Sequence, residues 1–152
     1  VVLAKVLGFD FVDADVLIQK KHGKLLRELI AEYGDDGFLQ IENDVNKEID
    51  LKNTVIATGG SVVYCDEAMQ HYVKNDIVVY IELPYEVIAS RLENVKRRGV
   101  VLKNGQTLKD LYNERILLYE KYAQITVKAE ELSVEELMDA IAEKVLSYEK
   151  TH

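Results

Sequence analysis

Three short runs of β-branched and apolar residues constrain this chain most: residues 54–58 (TVIAT), 77–83 (IVVYIEL) and 125–128 (ITVK), with a weaker run at 9–12 (FDFV). Their apolar residues are nearly continuous rather than alternating, the pattern of strands covered on both faces, and long stretches of helical spacing separate them. Parallel strands need crossovers of that kind, so the expected fold is α/β, a parallel sheet flanked by helices. No repeat, low-complexity tract or Pro/Gly/Ser-rich linker divides the 152 residues, and one domain is expected. At 48% apolar and 30% charged, the chain can bury a core, which excludes intrinsic disorder.

Helix ends are marked locally. Asp15 precedes Val16, Leu17 and Ile18 as a candidate N-cap, Asp66 precedes a helical stretch reaching Val73, and Pro84 opens another reaching about Glu93. Ser133 with Glu136 makes a capping box ahead of Val134, Leu137, Met138, Ile141 and Val145, so the C-terminal helix is amphipathic and serves packing. Residues 1–7 (VVLAKVL) read as the end of a helix closed by Gly8, with no start of its own.

Charge and composition narrow the partners. With 27 acidic against 19 basic residues the net charge is −8, and a general nucleic-acid binder would need a basic face instead. No apolar run approaches the roughly 18 residues of a membrane span, and no signal-peptide layout opens the chain. Lone Cys65 fits a reducing compartment, so a cytoplasmic protein with a small-molecule partner is expected.

Four places could carry chemistry. Asp13 and Asp15 lie at the end of the weak first strand, where ligands gather beyond the carboxyl ends of a parallel sheet. They suit a hard cation and a hydroxyl group, or else Asp15 caps a helix and Asp13 is solvated. Gly59 and Gly60 follow the second strand and let backbone approach an anion, unless they only make a tight turn. Residues 91–103 (RLENVKRRGVVLK) carry five basic residues against one acidic, suiting a flap over phosphates or a solvated loop. Arg115 falls within the apolar stripe of Leu108, Leu111, Tyr112, Leu118, Tyr119 and Tyr122, where it serves either an ion pair or an anionic ligand. No His sits at metal-ligand spacing, and Cys65 reads as a small buried residue rather than a nucleophile.

In order, these segments resemble the shikimate kinase family of P-loop phosphotransferases over nearly the whole chain. The opening LAKVLGFDFVDADVLIQKKHGK is similar to the family's helix end, strand, Asp-x-Asp and following helix. GDDGFLQIENDV is similar to its Gly-Glu-x-x-Phe-Arg-x-x-Glu segment and TVIATGGSVV to its strand with Gly-Gly-Gly. KRRGVV resembles its Arg-Pro lid, and ERILLYEKYA its Arg-x-x-Leu-Tyr segment. The resemblance implies a three-layer sheet of the P-loop, nucleoside-monophosphate-kinase-like type, a lid over about 95–106, and a monomer. It implies phosphoryl transfer from ATP, with Mg²⁺, to a hydroxyl of a small carbocyclic hydroxy acid, foremost shikimate giving shikimate 3-phosphate.

Carried over by position, Asp15 binds the substrate hydroxyls and orients or deprotonates the attacking one, and Asp13 acts through the magnesium shell. Gly59 and Gly60 present backbone to the substrate, Phe38 walls its pocket, Arg115 grips its carboxylate, and Arg98 descends with the lid onto the nucleotide phosphates. Three positions depart from the pattern: Leu39 replaces an Arg that is a second grip on the carboxylate, Ser61 the third Gly, and Gly99 the lid Pro. Loss of that charge-assisted bond weakens binding by roughly 1.5–3 kcal/mol unless Arg27 or Lys24 replaces it, or the substrate is another polyol or hydroxy acid. The Gly-x-x-x-x-Gly-Lys-[Ser/Thr] loop occurs nowhere in these residues. Because residues 1–7 match the end of the helix that follows it, the expectation is an N-terminally incomplete kinase domain. Roughly 15 to 20 residues of strand, loop and helix start would lie upstream; the alternative is a non-catalytic relative.

Overall fold

The structure, a computed structural model, describes residues 1–93 and 105–152. Arg98 and residues 95–104 of the expected lid lie outside the described residues. Among the described residues four strands alternate with helices: β1 (Asp10–Asp13), β2 (Thr54–Ala57), β3 (Val79–Glu82) and β4 (Ile125–Lys128). The helices are α1 (Val2–Leu7), α2 (Ala14–His22), α3 (Leu26–Lys47), α4 (Asp66–Asn75), α5 (Tyr85–Glu93), α6 (Leu108–Tyr122) and α7 (Val134–Thr151), with a 3-10 turn at Gly60–Tyr64.

All pairing is parallel, as strands joined through helices require. In β1–β2 the register sets Asp13 opposite Ala57, so the carboxyl end of β1 lies beside the turn that follows β2. β3 and β4 make a second pair with Glu82 opposite Lys128. The parallel strands between helices are as the sequence leads us to expect, and the described ladders form two pairs. Among the described residues no ladder joins the two pairs, and Phe11 and Ile81 remain 37% and 43% exposed.

Three apolar clusters hold the elements. Ile125 and Val127 of β4 pack with Ile141 and Val145 of α7, with Leu3 of α1 against them, so α7 is a packing helix as expected. Its start is fixed by the reciprocal Ser133 and Glu136 capping bonds, each 3.1 Å, a motif worth about 1 kcal/mol. Ile18, Leu29, Phe38 and Val45 join α2 to α3. Val62, Val63, Cys65, Ala68, Met69, Tyr72 and Tyr122 tie the 3-10 turn to α4 and α6. Cys65 is buried, donates to the Leu39 carbonyl at 3.4 Å, and has its thiol pushed up to about 12 by burial, so it is a core residue, as expected.

Two caps differ from expectation. Asp13, not Asp15, caps α2: its Oδ1 accepts from the backbone N–H of Asp15 at 2.9 Å and of Val16 at 3.4 Å. Asp66 is the first residue of α4 rather than its cap, and its Oδ1 accepts from the Tyr122 hydroxyl at 2.5 Å. In both, the choice between neighbouring residues follows from the backbone path of the strand or turn ahead of the helix. α3 bends at Gly34, whose φ of 74° and ψ of 178° only glycine adopts readily.

Candidate active site

The expected residues converge at the carboxyl ends of β1 and β2. Asp15 enters from the first turn of α2, Gly59 and Gly60 from the turn after β2, and Arg115 from the middle of α6. The close approach explains both glycines. A Cβ on Gly59 would lie 3.1 and 3.3 Å from the carboxylate oxygens of Asp15 and 3.3 Å from Oε2 of Glu42. A Cβ on Gly60 would lie 3.0 Å from Nη1 of Arg115 and 3.0 Å from the Tyr119 hydroxyl. Two carboxyls and one guanidinium therefore flank a backbone with no side chain of its own at two successive positions.

Arg115 reaches this turn from α6. No ion pair involves it among the described residues, and its Nε is buried without a hydrogen-bond partner there. Its guanidinium lies 5.6 Å from the centre of the Tyr64 ring, whose hydroxyl is likewise buried and unpartnered. A buried donor left unmade costs roughly 1–3 kcal/mol, so an anion at this place would relieve a standing penalty. Tyr119 donates to the Gly60 carbonyl at 3.0 Å and stacks on Tyr80 with ring centres 5.1 Å apart, which fixes α6 against the turn.

Asp15 is half-buried, and burial first, then the charge of Asp13, holds its carboxyl above the ordinary aspartate range. Its side chain is free of the capping duty and faces the glycine turn. Asp13 has one carboxylate oxygen committed to the cap and the other available. Phe38 is 4% exposed and packs among Ile18, Leu29 and Val45, one helical turn from Glu42. Leu39 packs against the cluster of Val62, Val63 and Cys65, so this position brings no cation to the site.

Sequence reasoning missed Glu42. It lies on α3, is 1% exposed, and accepts from the Ser61 hydroxyl at 2.7 Å on Oε1 and 3.0 Å on Oε2. Its signal was present: it is the Glu that closes the GDDGFLQIE segment. Burial pushes its carboxyl up to about 7; the Ser61 bond and the Arg115 charge pull down, and the Asp15 charge pushes further up. Between the ordinary 4.5 and about 7, the folded protein holds a proton that the unfolded chain has released. Stability therefore falls as pH rises through that window, by on the order of 3 kcal/mol from this group alone. Urea denaturation of Glu42→Gln should show this fall flattened between pH 5 and 8, leaving the smaller slope from Asp15; an unaltered fall would assign it to other groups.

Comparison with known proteins decides the family. The sequence profile of the shikimate kinases matches residues 1–146. The chain belongs to the shikimate kinase family. It is 36% identical to the shikimate kinase of Thermodesulfovibrio yellowstonii over 152 residues, 97% of this chain and 85% of that one. The shikimate kinase of Bacillus anthracis is 32% identical over 94% of this chain and 87% of its own. Among solved structures, a shikimate kinase from Acinetobacter baumannii in complex with shikimate superposes with a TM-score of 0.86 at 30% identity, covering 96% of this chain and 83% of that one. The Aquifex aeolicus shikimate kinase gives 0.76 at 29% identity, covering 99% and 86%. The expected fold and the expected class of enzyme, a kinase with an alcohol group as acceptor, are thus both borne out.

Proposed function

We propose that this shikimate kinase family member transfers the γ-phosphoryl group of ATP to a ring hydroxyl of shikimate. The observation that carries the reading is the placement of Asp15 and Arg115 on either side of the Gly59–Gly60 backbone. One end of the turn offers a carboxylate for a hydroxyl, the other, for a carboxylate, a guanidinium whose Nε lacks a partner among the described residues, and a small hydroxy acid has both groups.

Asp15, with its affinity for a proton raised, accepts the hydroxyl proton as the oxygen attacks the γ-phosphorus, and the bond to the bridging oxygen breaks with release of ADP. Arg115 holds the acid's carboxylate, and the Gly59 and Gly60 backbone fixes the ring, so that the attacking oxygen is held in line. Phe38 shapes the pocket wall from behind the site. Among the described residues no group of three or more His, Cys, Asp or Glu could cage a metal. Mg²⁺ keeps most of its waters and takes one or two carboxylates plus phosphate oxygens, and the carboxylate oxygen of Asp13 not used in the cap would meet its water shell. The ion, when bound with ATP, neutralises charge on the phosphoryl group in transfer. In this reading residues 1–152 belong to one kinase domain working as a cytoplasmic monomer. No helix among the described residues is long and apolar enough to cross a membrane.

Leu39 favours a second reading, a different polyol or hydroxy acid, because the site has one guanidinium among the described residues. ADP release with shikimate, quinate and a panel of hydroxy acids separates the two. Turnover is expected to be fastest with shikimate; turnover of another compound without shikimate would give the second reading, and none with any would mark a non-catalytic relative.

A further inference from the structure

Ser61 stands where the family pattern has glycine, and Leu39 where it has arginine. The structure links the two positions through Glu42. Position 39 is one helical turn from Glu42 on α3, the spacing at which an arginine would reach a carboxylate. Leu39 instead enters the apolar cluster beside Val62 and Cys65. Among the described residues, the hydroxyl of Ser61 is then the donor that meets the buried Glu42 carboxyl, touching both of its oxygens. Ser61 lies 19 positions further along the chain, in the turn that carries Gly59 and Gly60.

We propose that Ser61 is a positioning residue for acceptor binding: by clamping Glu42 it fixes the Gly59–Gly60 backbone between Asp15 and Arg115. Glu42 Oε2 and both Asp15 oxygens come within 3.3 Å of the place a Gly59 side chain would occupy, so any movement of the turn relative to α3 alters the gap in which the acceptor is held. The 3-10 turn is otherwise joined to α6 by the Tyr119 bond to the Gly60 carbonyl and closed on itself by a 3.3 Å bond from the Val62 N–H to the Gly59 carbonyl. The Ser61–Glu42 clamp is its polar tie to α3 at the glycines. It takes over a duty that an arginine at 39 would discharge, and leaves Arg115 as the cation for the substrate. This inference rests on the reading that Asp15 and Arg115 hold a hydroxy acid.

The test combines steady-state kinetics with amide hydrogen exchange at Val62. Ser61→Ala should raise KM for shikimate about tenfold while kcat and KM for ATP change less than about threefold, and Val62 should exchange about tenfold faster. Ser61→Thr, which keeps the hydroxyl, and Glu42→Gln, which keeps an acceptor, should stay within about threefold of the wild type in both readouts. Adding Ser61→Ala to Glu42→Leu should raise KM no further than Glu42→Leu alone. An unchanged KM in Ser61→Ala, or an equal rise in Ser61→Thr, would overturn the proposal. Should the wild-type protein fail to phosphorylate shikimate, the substrate reading falls, and the exchange rate at Val62 alone decides the clamp: unchanged exchange in Ser61→Ala overturns it.

Discussion

Asp15→Asn is expected to lower kcat by about 10²- to 10⁴-fold, the range lost when a positioned general base is removed, with KM for ATP little changed. The prediction is sharper than the sequence alone would make it, because Asp13 caps α2 and the side chain of Asp15 takes no part in that cap. Removing its charge therefore leaves the helix start intact. Burial and the Asp13 charge both oppose ionisation of Asp15, so the folded protein binds its proton more tightly than the unfolded chain does. Its contribution to stability is present at low pH and lost as pH rises above the ordinary aspartate range, and the asparagine variant should be at least as stable as the wild type at pH 8. Steady-state ADP release alongside thermal unfolding measures both; turnover within about tenfold of wild type would remove Asp15 from the chemistry.

Arg115→Met should raise KM for the acceptor by about ten- to 150-fold, the equivalent of the roughly 1.5–3 kcal/mol in a hydrogen bond to a charged group, while KM for ATP holds. Methionine keeps the side chain's length within the apolar stripe of α6 and removes a buried donor that has no acceptor in the free protein, so folding should survive. A second readout follows from Glu42, whose carboxyl the Arg115 charge pulls downward. Without the guanidinium, carboxyl NMR should find the Glu42 midpoint above about 7. An unchanged acceptor KM would place the substrate carboxylate elsewhere, and Arg27 or Lys24 would then be the next cations to replace.

Elements whose hydrogen bonds and periodicity close within a few residues were legible beforehand. β4 spans 125–128 as its β-branched run indicates, and Thr107 and Ser133 begin α6 and α7 through bonds to residues three positions on. α1 ends at Gly8 in the left-handed conformation for the same local reason. The two aspartates of the Asp-x-Asp segment were legible as a pair, but not their division of labour. Which of them turns back onto the helix depends on where β1 ends, and that is set by pairing with β2, more than 40 residues away. Glu42 closes its segment of the family pattern, but its burial against the turn after β2 was not legible, since its partner Ser61 lies 19 positions further on.

The sequence by itself determined the order of strands and helices, the family, and the residue types available at the strand ends: a pair of carboxyls, two glycines, a guanidinium. Each of these follows from spacing along the chain or from motifs in a fixed order. Tertiary structure alone decided which groups meet. It seats Gly59 against Asp15 and Glu42, leaves Nε of Arg115 without an acceptor among the described residues, and gives buried Glu42 the hydroxyl of Ser61. The physical reason is that a carboxyl's proton affinity and a guanidinium's need for a partner are set by burial and by neighbours within a few ångströms, and those neighbours come from α2, α3, the turn after β2 and α6.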